Sequence, residues 1–176
     1  IILADCPDLD RAAAAAASAI FFNQGEMCSA GSRLIVEESV RDAVLEKVVA
    51  AGRQMPPGDP LDPATKLGAI VDNVQMQTVL GYIESGRQEG AQLLAGGRQV
   101  REETGGCYVE PTVFGSVQPQ MKIAREEIFG PVLAALTVRD ADEAVRVGNL
   151  GVYGLAAAVW TRDVTRAHRI ARALRA

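Results

Sequence analysis

Cys28 stands in the stretch Phe21-Phe22-Asn23-Gln24-Gly25-Glu26-Met27-Cys28-Ser29-Ala30-Gly31-Ser32-Arg33, after an Ala-rich run and ahead of the strand-like Leu34-Ile35-Val36. A thiol set among Gly25, Ser29 and Gly31 can face a cavity instead of filling a core, which is the placement a nucleophile needs. The usual fate of a free cysteine is that of a small buried hydrophobe. Cys6, which precedes Pro7, and Cys107, beside the Gly105-Gly106 turn, take that reading. A second group is Glu126-Glu127-Ile128-Phe129-Gly130-Pro131, an acidic turn with an anchoring aromatic. The two carboxylate oxygens of Glu127 can accept from two hydroxyls, although this spacing alone defines no chemistry. The single histidine, His168, would be the base of a Cys-His hydrolase. It falls on the shoulder of an amphipathic helix with no Asp or Asn obviously placed to orient it, as such a base requires. It therefore reads as a helix-rim histidine.

These groups must be positioned by the elements around them. Asp8 or Asp10 can cap a helix through Ala12–Ala17 to about Phe22, since Ala has the highest helix propensity. Arg33–Glu37 reads as a strand. Val40, Val44, Val48 and Ala51 recur at helical spacing with Arg41, Asp42, Glu46 and Lys47 opposite. Pro56, Pro57, Gly58, Pro60 and Pro63 end that helix in a stiff loop. A helix follows over 73–89, then a short strand at Ala91–Ala95, turns at Gly96-Gly97 and Gly105-Gly106, and extended chain at Tyr108–Val113. Val132–Val138 reads as a strand. Asp140 and Glu143 suggest a capping box for a helix to about Val147. Gly154–Thr161 reads as a strand, Ile1–Ala4 as a buried one, and Asp163 can cap the last helix. This alternation predicts an α/β fold, a three-layer domain with a mainly parallel sheet flanked by helices.

Composition narrows the function classes. The 176 residues suit one domain with a sizeable core, 48% of them hydrophobic and 23% charged, with a formal net charge of −4. That balance points to neither nucleic acid nor an anionic membrane. The terminal Arg162, Arg166, Arg169, Arg172 and Arg175 recur every three or four residues, the pattern of a solvated helix face. Three cysteines without close pairs argue against a disulfide framework and fit a reducing, cytoplasmic compartment. No Cys/His cluster suggests a metal.

The Cys28 stretch resembles the active-site segment of the aldehyde dehydrogenase superfamily. Its pattern is an aromatic, three residues, Gly, Gln or Glu, any residue and the catalytic Cys, and it falls on Phe21, Gly25, Glu26, Met27 and Cys28. Glu126–Pro131 is similar to a second motif of that family, as are Asn149, Tyr153-Gly154-Leu155 and Trp160-Thr161-Arg162-Asp163, so the resemblance covers essentially the whole chain. The chain departs from the family at Leu150-Gly151-Val152, where a second polar residue often follows the Asn. Pro60–Thr65 and Arg166-Ala167-His168-Arg169 look most like the branch oxidising γ-glutamyl-type and other amino-aldehydes.

The resemblance implies the fold of the aldehyde dehydrogenase catalytic domain and an NAD(P)-dependent oxidation of a small aldehyde to a carboxylic acid. Cys28 would be the nucleophile, passing through a thiohemiacetal and a thioester, with its own backbone N–H helping to bind the oxyanion. Glu127 would bind the nicotinamide ribose hydroxyls and Phe129 would pack near the nicotinamide ring. Glu26 sits where the family tolerates Gln, so a structural part is expected for it rather than that of the base. The resemblance further implies that residues 1–176 are the thiol-bearing catalytic domain of a longer, homo-oligomeric protein. The general-base Glu, the dinucleotide-binding domain and the strand used in oligomerisation would lie outside these residues. No Gly-x-Gly-x-x-Gly phosphate loop occurs in them. NAD or NADP is then the cofactor of the longer protein, none is expected to bind this chain alone, and the chain alone is expected to be inactive. Two other readings stay open: a Cys-nucleophile hydrolase, and a non-catalytic module of the same fold.

Overall fold

A computed structural model describes residues 1–176. Its centre is a four-stranded sheet in the order β1 (Arg33–Glu37), β6 (Val132–Val138), β5 (Thr112–Val117), β2 (Gln92–Ala95). β6 runs parallel to both its neighbours, and β2 alone is antiparallel. A small antiparallel pair, β3 (Gln99–Val100) and β4 (Tyr108–Val109), lies apart from it.

The strands are almost wholly apolar because both faces of the sheet are covered. Along β6 the side chains alternate between two cores. Val132, Ala134 and Leu136 enter one with Met76, Val79 and Ile83 of α3 (Asn73–Gln88). Leu133 and Ala135 enter the other with α1 (Leu9–Phe21) and α2 (Arg41–Arg53). Ala12, Ala13 and Ala17 are fully buried, so the Ala run lets α1 lie close to its neighbours. The short α4 (Lys122–Arg125), with α5 (Ala141–Gly148) and α6 (Val164–Ala173), completes the first layer. The result is the three-layer, mainly parallel α/β domain that the sequence predicts.

The helix starts follow local chemistry. Asp8, Asp72, Asp140 and Asp163 each accept from the backbone N–H three residues on, at 2.8–3.0 Å. The capping box at Asp140 forms only in its first half. Glu143 reaches back one residue further, accepting from the backbone N–H of Arg139 at 2.8 Å and from its guanidinium at 3.0 Å.

Two expected strands are corrected. Gly154–Thr161 is irregular apart from a bridge at Trp160, and residues 152–158 are exposed. Its only backbone pairing is with the chain's first residues, where Trp160 N–H donates to Ile1 and Leu3 N–H to Trp160. Val159 and Trp160 pack on the two cores, but the rest of the segment has one partly paired edge and no layer over it, and so does not become a regular strand. Ile1–Ala4 is likewise reduced to Ile2, which bridges Val36 on one side and Trp160 on the other.

Candidate active site

The Cys28 loop is built by a backbone that few sequences adopt. α1 ends at Phe21, and the chain turns through Asn23 and Gln24, both at positive φ (49° and 58°), into Gly25 at φ 71°. Non-glycine residues at positive φ are uncommon and need local support. Here the Asn23 side-chain amide donates to the Glu26 carbonyl at 3.1 Å, and the Gln24 amide donates to the Ala69 carbonyl at 3.1 Å. A Cβ on Gly25 would overlap the carbonyl oxygen of Gly130. Only glycine meets both the torsion and the contact, and that contact brings the cysteine loop against the Glu126–Pro131 motif. Past the cysteine, Gly31 N–H donates to the Ala19 carbonyl at 3.0 Å, returning the chain to β1.

The acidic turn is held from below. Phe129 also lies at positive φ, 55°, and is 38% exposed. The Gln75 amide donates to the carbonyls of Ile128 (3.0 Å) and Phe129 (2.9 Å). The two adjacent glutamates differ. Glu126 accepts from the Tyr82 hydroxyl at 2.9 Å, and burial together with that carboxylate pushes the phenol up to about 12. Glu127 is exposed and turns towards the same cavity as Phe129.

That cavity, about 590 Å³, is lined by Cys28, Glu127, Phe129, Arg33, Asn149 and Tyr153 among others, a size typical of small-molecule sites. Cys28 is exposed there, whereas Cys6 and Cys107 are half-buried. The three residues singled out for chemistry therefore share one space. His168 is exposed on α6 and does not line it, so no imidazole faces the thiol. Glu26 is turned away as well. Its carboxylate accepts from Val71 N–H at 3.2 Å, and burial, with Asp72 nearby, holds its proton above the usual carboxylate range.

Sequence reading missed Gln75 and Gln24, since a glutamine bonded to a distant carbonyl leaves no local signature. It also missed what Arg33 does. Arg33 donates to the Gly148 carbonyl at 3.0 Å and to that of Val147 at 3.4 Å, at the C-terminus of α5, where a cation is favoured. Asn149, noticed only as a family-like residue, joins two helices. It donates to the Ala173 carbonyl and accepts from Arg175 N–H, both at 2.9 Å.

The sequence model described as the Aldehyde dehydrogenase family matches residues 1–176. The chain belongs to the aldehyde dehydrogenase family. It is 44% identical over all of its length to the NADP/NAD-dependent aldehyde dehydrogenase PuuC of Escherichia coli (strain K12), covering 35% of that protein. Among solved structures it is similar to gamma-glutamyl-gamma-aminobutyraldehyde dehydrogenase from Burkholderia cenocepacia, with 60% identity and a TM-score of 0.96. It is also similar to the P. syringae indole-3-acetaldehyde dehydrogenase AldA in complex with NAD+, with 58% identity and a TM-score of 0.98. Each structural match covers 99% of this chain and 35% of the other. The chain thus spans about a third of the length of these family members.

Glu127 offers an exposed carboxylate to the cavity and Phe129 an accessible ring beside it. No helix is long and apolar enough to cross a membrane.

Proposed function

We propose that residues 1–176 are the thiol-bearing catalytic domain of an NAD(P)-dependent aldehyde dehydrogenase that oxidises a small aldehyde to its carboxylic acid. The observation that carries this reading is the convergence of Cys28, Glu127 and Phe129 on one cavity, enforced by the Gly25–Gly130 contact. The Cys28 thiolate adds to the aldehyde carbon, and the new oxyanion is held by donors that include the Cys28 backbone N–H. The tetrahedral thiohemiacetal carries a hydrogen that a bound nicotinamide would accept as hydride. Glu127 would hold the ribose hydroxyls of that cofactor and Phe129 would limit the position of its ring. Water then cleaves the Cys28 thioester, releasing the acid and regenerating the thiol. The balance is one aldehyde, one oxidised cofactor and one water giving one acid, one reduced cofactor and a proton.

With these roles no base is left for the last step: Glu26 is engaged with Val71, His168 lies off the cavity, Glu126 accepts from Tyr82, and Glu127, the carboxylate left facing the cavity, is assigned to the cofactor. General-base help is worth roughly 10²–10⁴ in rate, and on this reading the surface for the pyrophosphate and adenosine would lie outside these residues. The 176-residue chain alone should therefore form no NADH from aldehyde and NAD, followed in the ultraviolet. With p-nitrophenyl acetate it should accumulate an acyl-enzyme at Cys28, read by intact mass. In the longer protein, NADH formation should fall roughly 10³-fold or more in Cys28→Ala. Unchanged turnover in that variant would remove the nucleophile assignment.

Pro60–Thr65 and the Arg166–Arg169 segment favour an amino-aldehyde. A comparison of kcat/KM for amino-aldehydes and aryl-acetaldehydes tests that preference.

A further inference from the structure

The cysteine loop and the Glu127–Phe129 turn lie far apart in sequence, yet both are tied to the same short piece of chain. Gln24 donates to Ala69, and Val71 N–H donates to Glu26. Asp72 then caps α3 by accepting from Gln75 N–H at 2.8 Å. One turn into the helix, the half-buried Gln75 side chain donates to the Ile128 and Phe129 carbonyls. A turn further on, Val79 fills the space that a Cβ on Gly130 would need, and Gly130 in turn packs on Gly25. The contacts form a closed ring: residues 24–26, 69–71, 75–79, 128–130 and back to 25.

Building on the proposed dehydrogenase reading, we propose that the start of α3 is the common anchor of the two halves of the site, with Gln75 and Glu26 as its positioning residues. Neither faces the cavity as a reacting group. Gln75 supplies the donor that a left-handed Phe129 requires, because in that conformation the successive carbonyls of Ile128 and Phe129 converge on one amide nitrogen. Without it the turn can relax towards an ordinary backbone, displacing Glu127 and Phe129 together. Glu26 supplies the acceptor that fixes the residues just before Cys28. An ordered acceptor, rather than a charge, is what this task needs, so a glutamine serves equally well.

The test uses the longer protein that contains these residues. Gln75→Met keeps the shape and loses the donor. It should raise KM for NAD about fivefold or more, the effect of one lost hydrogen bond, while acylation of Cys28 by p-nitrophenyl acetate without NAD stays within about twofold. Gln75→Glu, which turns the donor into an acceptor facing two carbonyls, should move KM in the same direction, and Gln75→Lys should restore it. Glu26→Ala should slow acylation about threefold or more, and Glu26→Gln should restore it. Thermal midpoints measured alongside separate these effects from loss of fold. Should the Gln75 variants not fold, the Glu26 arm decides alone. KM for NAD unchanged in Gln75→Met, or acylation unchanged in Glu26→Ala, overturns the anchor. Cys28→Ala retaining full NADH formation would instead overturn the dehydrogenase reading, leaving the two failures distinguishable.

Discussion

The two walls of the cavity are built in opposite ways. The wall carrying Cys28, Glu127 and Phe129 is made of unusual backbone, with three non-glycine residues, Asn23, Gln24 and Phe129, and Gly25 at positive φ, held by side-chain amides and a tight glycine contact. The facing wall, residues 150–158, has no such side-chain network: it is held at its ends and at one close approach, where a Cβ on Gly154 would overlap the Arg175 carbonyl. Asn149 holds one end against α6, and Ile1 and Trp160 hold the other through backbone bonds. Between them Leu150, Val152, Tyr153 and Leu155 are 60%, 93%, 52% and 65% exposed. Placement of reacting groups demands over-determined geometry, since a misplacement of about 1 Å can cost roughly 10²-fold in rate. A wall that only bounds the space has no such demand.

If this contrast is right, substitutions should sort by wall. The largest effect is expected for Gly25→Ala. It places a Cβ at φ 71° and into the Gly130 carbonyl, so destabilisation of about 3 kcal/mol and loss of Cys28 acylation should follow. Urea unfolding and the ester burst measure the two. Glu127→Ala is next. It leaves the fold intact and removes a charged acceptor from the cavity, where such bonds are worth ~1.5–3 kcal/mol, so in a longer protein containing these residues KM for NAD should rise roughly tenfold or more. An unchanged KM would take Glu127 out of the cofactor site.

On the other wall, Asn149→Ala deletes a donor and an acceptor that join α5 to α6. A loss of about 1–2 kcal/mol by thermal unfolding is expected, with Cys28 acylation preserved. Val152→Ser should change stability by no more than about 0.5 kcal/mol, since so exposed a residue has little packing to lose. A large loss there would show that the second wall is as tightly specified as the first.

Much of this division was legible beforehand where the determining interactions are short. The Asp caps at positions 8, 140 and 163 act on the N–H three residues away. Strands β1 and β6 each hold a continuous apolar run, Leu34–Val36 and Val132–Leu136, and their limits coincide with the expected ones. Gly154–Thr161 failed because an apolar extended segment signals a strand only if a neighbour pairs with it and a layer covers it. Both conditions depend on chain far from it in sequence.

The site divides in the same way. The amino-acid sequence by itself determined the thiol in its small-residue loop, the acidic turn with its aromatic, the layered α/β class and the family. All of these are carried by residue type and short spacing. Only the tertiary structure decided that Cys28, Glu127 and Phe129 face one cavity, that His168 does not, and that Glu26 and Gln75 brace the site from behind. The Glu26–Val71 and Gln75–Phe129 bonds span 45 and 54 residues. Closing loops of that length costs entropy that no local pattern records, and it is offset only when the two cores on either side of β6 have formed.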